Sequence, residues 1–135
     1  MDYQKISKET MTNLYLGYKS LENSPLKQDL RALIELYVSQ INDYRHCYII
    51  HKNDALTLNV SEEKINSLSE FEKSDLFSAS EKAALTWAES LTKLNGNRRV
   101  ESTDLHKYFD EKEIVDITIS ISLMNAFNRL AMSMM

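Results

Sequence analysis

The segment INDYRHCYIIH, residues 41–51, holds the chain's single cysteine, Cys47, and places His51 four residues beyond it. On a helix, positions i and i+4 fall on one face, one turn apart. A thiol beside an imidazole is the smallest arrangement that can make a thiolate near neutral pH, and the thiolate is the reactive form. The spacing alone also suits a small buried hydrophobe next to a structural histidine. In the reactive case, an imidazolium and a helix amino end would each favour the anion and lower the thiol pKa by about a unit or more. Burial against Ile50 and the neighbouring tyrosines would oppose them. No group of His, Cys and carboxylates has zinc spacing, so neither a metal nor another cofactor is expected.

Composition indicates what kind of frame must hold this pair. The 135 residues suffice for one well-filled core, expected to be a single domain over residues 1–135. Only two glycines and one proline punctuate the chain, too few for a sandwich or barrel with a turn every ten residues or so. Scarce breakers with plentiful Leu, Ala, Glu and Lys predict an all-α domain of six to seven helices. A net charge of −4 argues against nucleic acid as a partner. No apolar run approaches the roughly 20 residues needed to cross a bilayer, so no membrane partner is expected. The polar start MDYQKISKET lacks the apolar stretch of a signal peptide, and one cysteine cannot form an intrachain disulfide; both suggest the cytoplasm.

Caps and periodicity place the helices. Ser7 can cap a first helix carrying Met11, Leu14, Tyr15, Tyr18 and Leu21. Ser24-Pro25 reads as N-cap and N1 of a second, with Leu26, Leu30, Leu33, Ile34, Tyr37 and Ile41 on its buried stripe. A break at Asn42-Asp43 would put Cys47 in the second turn of a third helix running to about Leu58. Ser61 caps a fourth, and the Ser78/Glu81 capping box opens a fifth with Ala84, Trp87, Ala88, Leu91 and Leu94, ended by Asn95-Gly96. A short helix follows Ser102 or Thr103. Asp110 and Glu113 form a second box before the last helix, with Ile114, Ile117, Ile121, Met124, Phe127 and Ala131. The β-branched alternation of Ile117, Ile119, Ile121 and Leu123 also fits a strand; length and capping favour helix. Its broad apolar surface suggests burial by another subunit, hence a homo-oligomer.

With these elements placed, the chain resembles the alkylhydroperoxidase D-like branch of the carboxymuconolactone decarboxylase superfamily. The pattern of that group, approximately V-S-x-I-N-G-C-x-x-C-x-x-x-H, meets VSQINDYRHCYIIH from Val38 to His51. FSASEKAALTWAESLT resembles F-S-x-x-E-x-A-A-L-x-W-A-E-x-L-T, and SLMNAFNRLA resembles an ending N-x-x-N-R-L-A. The resemblance implies an all-helical fold, assembly as homodimers, trimers or hexamers, and in some members a thiol-dependent peroxidase. It implies that Cys47 matches the cysteine that attacks peroxide, His51 the active-site histidine, and His46 a histidine of the proton relay in some members. The first cysteine of the CxxC is Tyr44 here, and the upstream glutamate falls at Ala32, with Glu35 one turn further along as a substitute.

The leading expectation is therefore a single-cysteine thiol peroxidase or other redox protein, with a small hydroperoxide as substrate and an external thiol as reductant. Tyr44 is either a spacer or a donor into the pocket. Asn125, Asn128 and Arg129 form either a structural cluster or a pocket wall. The methionines, crowded into AMSMM at the end, read as adaptable packing. Two alternatives stand beside this reading: a non-catalytic oligomer whose redox centre has decayed, and an enzyme acting on a small carboxylated lactone, for which Arg129 is the obvious cation.

Overall fold

The computed structural model describes residues 1–94 and 102–134, and among them every regular element is helical. In chain order these are α1 Tyr3–Ile6, α2 Lys8–Ser20, α3 Gln28–Ile41, α4 Arg45–Thr57, α5 Glu62–Asn66, α6 Ala79–Lys93 and α7 Glu111–Met134. Short 3-10 segments lie at Leu21–Asn23, Leu68–Lys73 and Ser102–Lys107. The alternating stretch 117–123 lies inside the 24 residues of α7. Asp110 and Glu113 exchange the two bonds of a capping box at its start, 2.8 and 3.2 Å long. The Ser78/Glu81 box opens α6 as expected, and Ser61 caps α5 by accepting from the Lys64 amide.

The centre of the molecule is α3, which packs against α4, α6 and α7. Every residue from Ala32 to Ser39 is buried. Leu33, Ile34, Leu36 and Val38 together contribute on the order of 8 kcal/mol of apolar burial. That is large against the roughly 1–3 kcal/mol cost of one unsatisfied buried polar group. The helix can therefore carry Glu35 and Ser39 into the core.

Three local expectations are corrected. A short helix, α1, precedes the one at Ser7, with Asp2 accepting from the Lys5 amide. Ser24-Pro25 does not start α3, whose first residue is Gln28. The Ser24 hydroxyl is instead used in the turn, donating to Asp116 of α7 and accepting from the Leu26 amide. Cys47 falls in the first turn of α4, not the second, because the chain restarts only at Arg45. Asn95-Gly96, expected to end α6, lie outside the described residues; Leu94 is already left-handed, φ 44°.

The inward face of α7 carries Ile114, Ile117, Ile121 and Met124, while Val115, Ile119 and Met132 remain exposed. Tyr15 of α2 stacks on Phe127 at 5.0 Å between ring centroids, and Tyr18 meets the same ring edge-on at 5.7 Å. Among the described residues no helix is long and apolar enough to cross a membrane.

Candidate functional site

The start of α4 is fixed by the way α3 ends. Asp43 is left-handed, φ 54°, the conformation for which glycine is usual. Its amide reaches the Gln40 carbonyl and the Tyr44 amide reaches that of Ser39, the paired bonds of a Schellman motif. Tyr44 then occupies the N-cap of α4 with extended backbone, and its carbonyl takes the Tyr48 amide at 3.0 Å. Cys47 is the third residue of the helix and half-buried, while His51, one turn on, is only 8% exposed.

His51 faces a carboxylate from the neighbouring helix. Its Nδ1 lies 3.7 Å from Oε2 of Glu35 and 3.9 Å from the Asp54 carboxylate, and it has no hydrogen-bond partner. Glu35 is 4% exposed and is held from three elements. The Tyr18 hydroxyl of α2 donates to Oε2 at 2.7 Å, the Ser120 hydroxyl of α7 donates to Oε1 at 3.2 Å, and Arg31 Nε pairs with Oε1 at 3.3 Å. The Arg31 guanidinium also lies over the Tyr18 ring, 5.3 Å from its centroid. Ala32, where the resemblance expects a glutamate, is buried in the same helix. Glu35, one turn further along, faces His51.

Burial dominates the electrostatics. It raises the Glu35 carboxyl, against hydrogen bonds from Tyr18 and Ser120 and the Arg31 charge that pull it down. It lowers His51, with Asp54 opposing and Arg31 assisting. Acid and base are thus both pushed toward their neutral forms, so the 3.7 Å approach is not a strong ion pair. Burial also raises the Tyr18 phenol, reinforced by Glu35. Cys47 is raised by burial as well. The expected lowering of this thiol is therefore not met: desolvation prevails.

The remaining candidates fall elsewhere. His46 is exposed and its ring stands edge-on to Tyr44, 6.2 Å between centroids. The Tyr44 phenol is raised by burial and then by the nearby Cys47 sulfur. Asn125 and Arg129 knit α3, α6 and α7 together. Asn125 accepts from Asn42 Nδ2 at 2.9 Å and from Arg129 Nη1 at 2.6 Å, and donates to the Thr92 hydroxyl at 2.9 Å. Asn128 is fully buried and donates to Ser39 at 3.5 Å. None of these three shares a hydrogen bond with Cys47, His51 or Glu35. Sequence reasoning missed Tyr18, Arg31, Ser120 and Asp54. The one available signal was Arg31 four residues before Glu35 on an otherwise buried stripe. Among the described residues no three His, Cys, Asp or Glu side chains are grouped so as to hold a metal ion.

Comparison with known proteins agrees with this architecture. Residues 8–90 match the model of the carboxymuconolactone decarboxylase family. The uncharacterized protein YdfG of Bacillus subtilis (strain 168) is 31% identical over 137 residues, spanning 99% of this chain and 92% of that one. A crystal structure of a protein of unknown function from Agrobacterium tumefaciens, ATU0492, proposed to be the antioxidant defence protein AhpD, superposes with a TM-score of 0.89 at 29% identity. That match covers 98% of this chain and 92% of the other. An uncharacterized peroxidase-related protein from Silicibacter sp. TM1040 shares the fold, with a TM-score of 0.80 at 22% identity over 94% of this chain and 69% of its own.

Proposed function

This chain belongs to the carboxymuconolactone decarboxylase family, and on that premise we propose that it is a thiol-dependent peroxidase of antioxidant type, working through one cysteine. The observation that carries the reading is the buried carboxyl of Glu35 facing Nδ1 of His51. Burial lowers the imidazole and so favours its neutral form, the form that can accept a proton as a general base. The role proposed for the structural relative from Agrobacterium tumefaciens points the same way.

In this mechanism His51 takes the Cys47 proton. The thiolate attacks the terminal oxygen of a hydroperoxide, an S–O bond forms as the O–O bond breaks, and the departing alkoxide recovers the proton from His51 as an alcohol. Cys47 is left as sulfenic acid. Tyr44 supplies no second sulfur, so an external thiol must condense with it, releasing water, and a second thiol must then free Cys47 as the external disulfide leaves. Because burial holds Cys47 above the ordinary thiol range, turnover at neutral pH is slow and rises as the medium becomes more alkaline.

That same raised thiol favours a second reading, a protein of the family whose redox centre no longer turns over. Peroxide consumption in the presence of dithiothreitol separates the two. The peroxidase reading expects consumption that Cys47→Ser abolishes; consumption absent, or unchanged by Cys47→Ser, rejects it.

A further inference from the structure

We propose that the cavity between α2 and α3, beside Glu35, binds a small monocarboxylate with the Arg31 guanidinium as its anchor. The cavity has a volume of about 330 Å³, with Tyr15, Tyr18 and Lys19 on its α2 side and Arg31, Ala32 and Glu35 on its α3 side. This is near the lower end of the range for small-molecule sites, which limits the ligand to a compact one.

The guanidinium is only partly used. Its Nε is paired with Glu35 and its face lies on the Tyr18 ring, while Nη1 is buried without a hydrogen-bond partner. The side chain is 12% exposed, so the group is nearly dry yet lines the cavity. Arginine grips carboxylates through two parallel N–H bonds, and here Glu35 engages only one nitrogen. A buried donor with nothing to accept from it is uncommon in folded proteins and leaves hydrogen-bonding capacity on the guanidinium. Ala32 presents only a methyl group to this space.

The surrounding charges define the ligand. Lys19 adds a second cation, while Glu22 and Asp54 line the same cavity as anions. A second carboxylate on the ligand would meet one of those two, so a single negative charge fits. The rings of Tyr15 and Tyr18 offer an apolar surface for the body of the molecule. The site is defined by binding alone and does not depend on Cys47 reacting.

Benzoate titrated into the full chain, with the isosteric neutral benzamide as control, tests this by calorimetry or by amide NMR shifts. Benzoate is expected to bind at least about tenfold more tightly than benzamide, with shifts centred on α2 and α3. Arg31→Gln should lose about tenfold in benzoate affinity, and Lys19→Gln, at an exposed position, about threefold. Glu35→Gln should gain affinity severalfold, because it frees the whole guanidinium edge. If Arg31→Gln does not fold, the benzamide comparison and Lys19→Gln still decide. Absence of benzoate binding to the wild type, equal binding of benzamide, or shifts elsewhere in the molecule would overturn the proposal and leave the cavity to water.

Discussion

Nδ1 of His51 stands 3.7 Å from Oε2 of Glu35, beyond hydrogen-bond reach, and has no other hydrogen-bond partner. Each group alone is disfavoured as an ion by its burial. Stability and reactivity at this position should therefore both depend on pH.

For His51 the sign is set by its lowered folded-state pKa. Between that value and about 6.5 the unfolded chain binds a proton that the native state refuses, so stability falls as the pH drops. The slope cannot exceed about 1.4 kcal/mol per pH unit for one proton. Because the raised Glu35 carboxyl gains stability as the pH falls, the loss due to His51 should be read as a difference: urea unfolding from pH 7.5 to 5 should show wild-type stability falling relative to that of His51→Leu. Identical profiles would refute the buried neutral imidazole.

Glu35 organises groups from three elements, so its two obvious substitutions should differ. Glu35→Ala strands the Tyr18 and Ser120 hydroxyls and Arg31 Nε, a loss of about 3 kcal/mol in urea denaturation. Glu35→Gln keeps an acceptor for the hydroxyls and should cost about 1 kcal/mol. Equal effects would mean that the carboxyl is not the hub of this cluster.

The thiol of Cys47 should titrate at or above the free-thiol value of about 8.5. Alkylation by iodoacetamide should be slow at pH 7 and accelerate through pH 9. A midpoint near 6 would show that an attractive charge, absent from this arrangement, outweighs burial.

Tyr44→Cys restores a second sulfur at the N-cap, one helical turn before Cys47. Helical geometry puts the two Cα atoms about 5 Å apart, inside the disulfide range. Mild oxidation should yield an intrachain disulfide detectable by mass spectrometry. Its absence would mean that the first turn of α4 does not present both side chains to one side.

Assembly is expected from the surface. Val115 is 53% exposed, Ile119 39% and Met132 48%, all on α7, and Ile49 and Ile50 are exposed on α4. Sedimentation at micromolar concentration should reveal species larger than 15.7 kDa. Val115→Glu with Ile119→Glu should shift the population toward the monomer. A wild type that sediments only as a monomer would dismiss the oligomer.

Much of the helical order was legible in sequence because caps are local chemistry: Ser61, Ser78/Glu81 and Asp110/Glu113 each act within four residues. Ser24 misled because its hydroxyl is used across 92 residues, on Asp116. The same distinction separates the parts of the site. Cys47 and His51 stood out as candidates from their spacing together with the family resemblance, and Glu35 only through that resemblance, which set a glutamate at Ala32 one turn before it. Tyr18 and Ser120 could not, since they lie 17 and 85 residues from Glu35 and meet it only through helix packing. The raised Cys47 thiol was equally hidden, because desolvation depends on what covers a side chain rather than on its neighbours in sequence.

The burial of α3 on every side from Ala32 to Ser39 has a kinetic meaning. Amide hydrogens in this segment have no shallow route to solvent, so their exchange requires the cooperative opening of the whole core. The Glu35 carboxyl shares that helix but also touches the Tyr18 hydroxyl at the wall of the α2–α3 cavity. Its proton can equilibrate with solvent through a side-chain path while the backbone around it stays closed. Two rates are therefore expected at one residue: a slow one for the peptide hydrogen, which needs the core to open, and a faster one for the carboxyl, which lines the cavity.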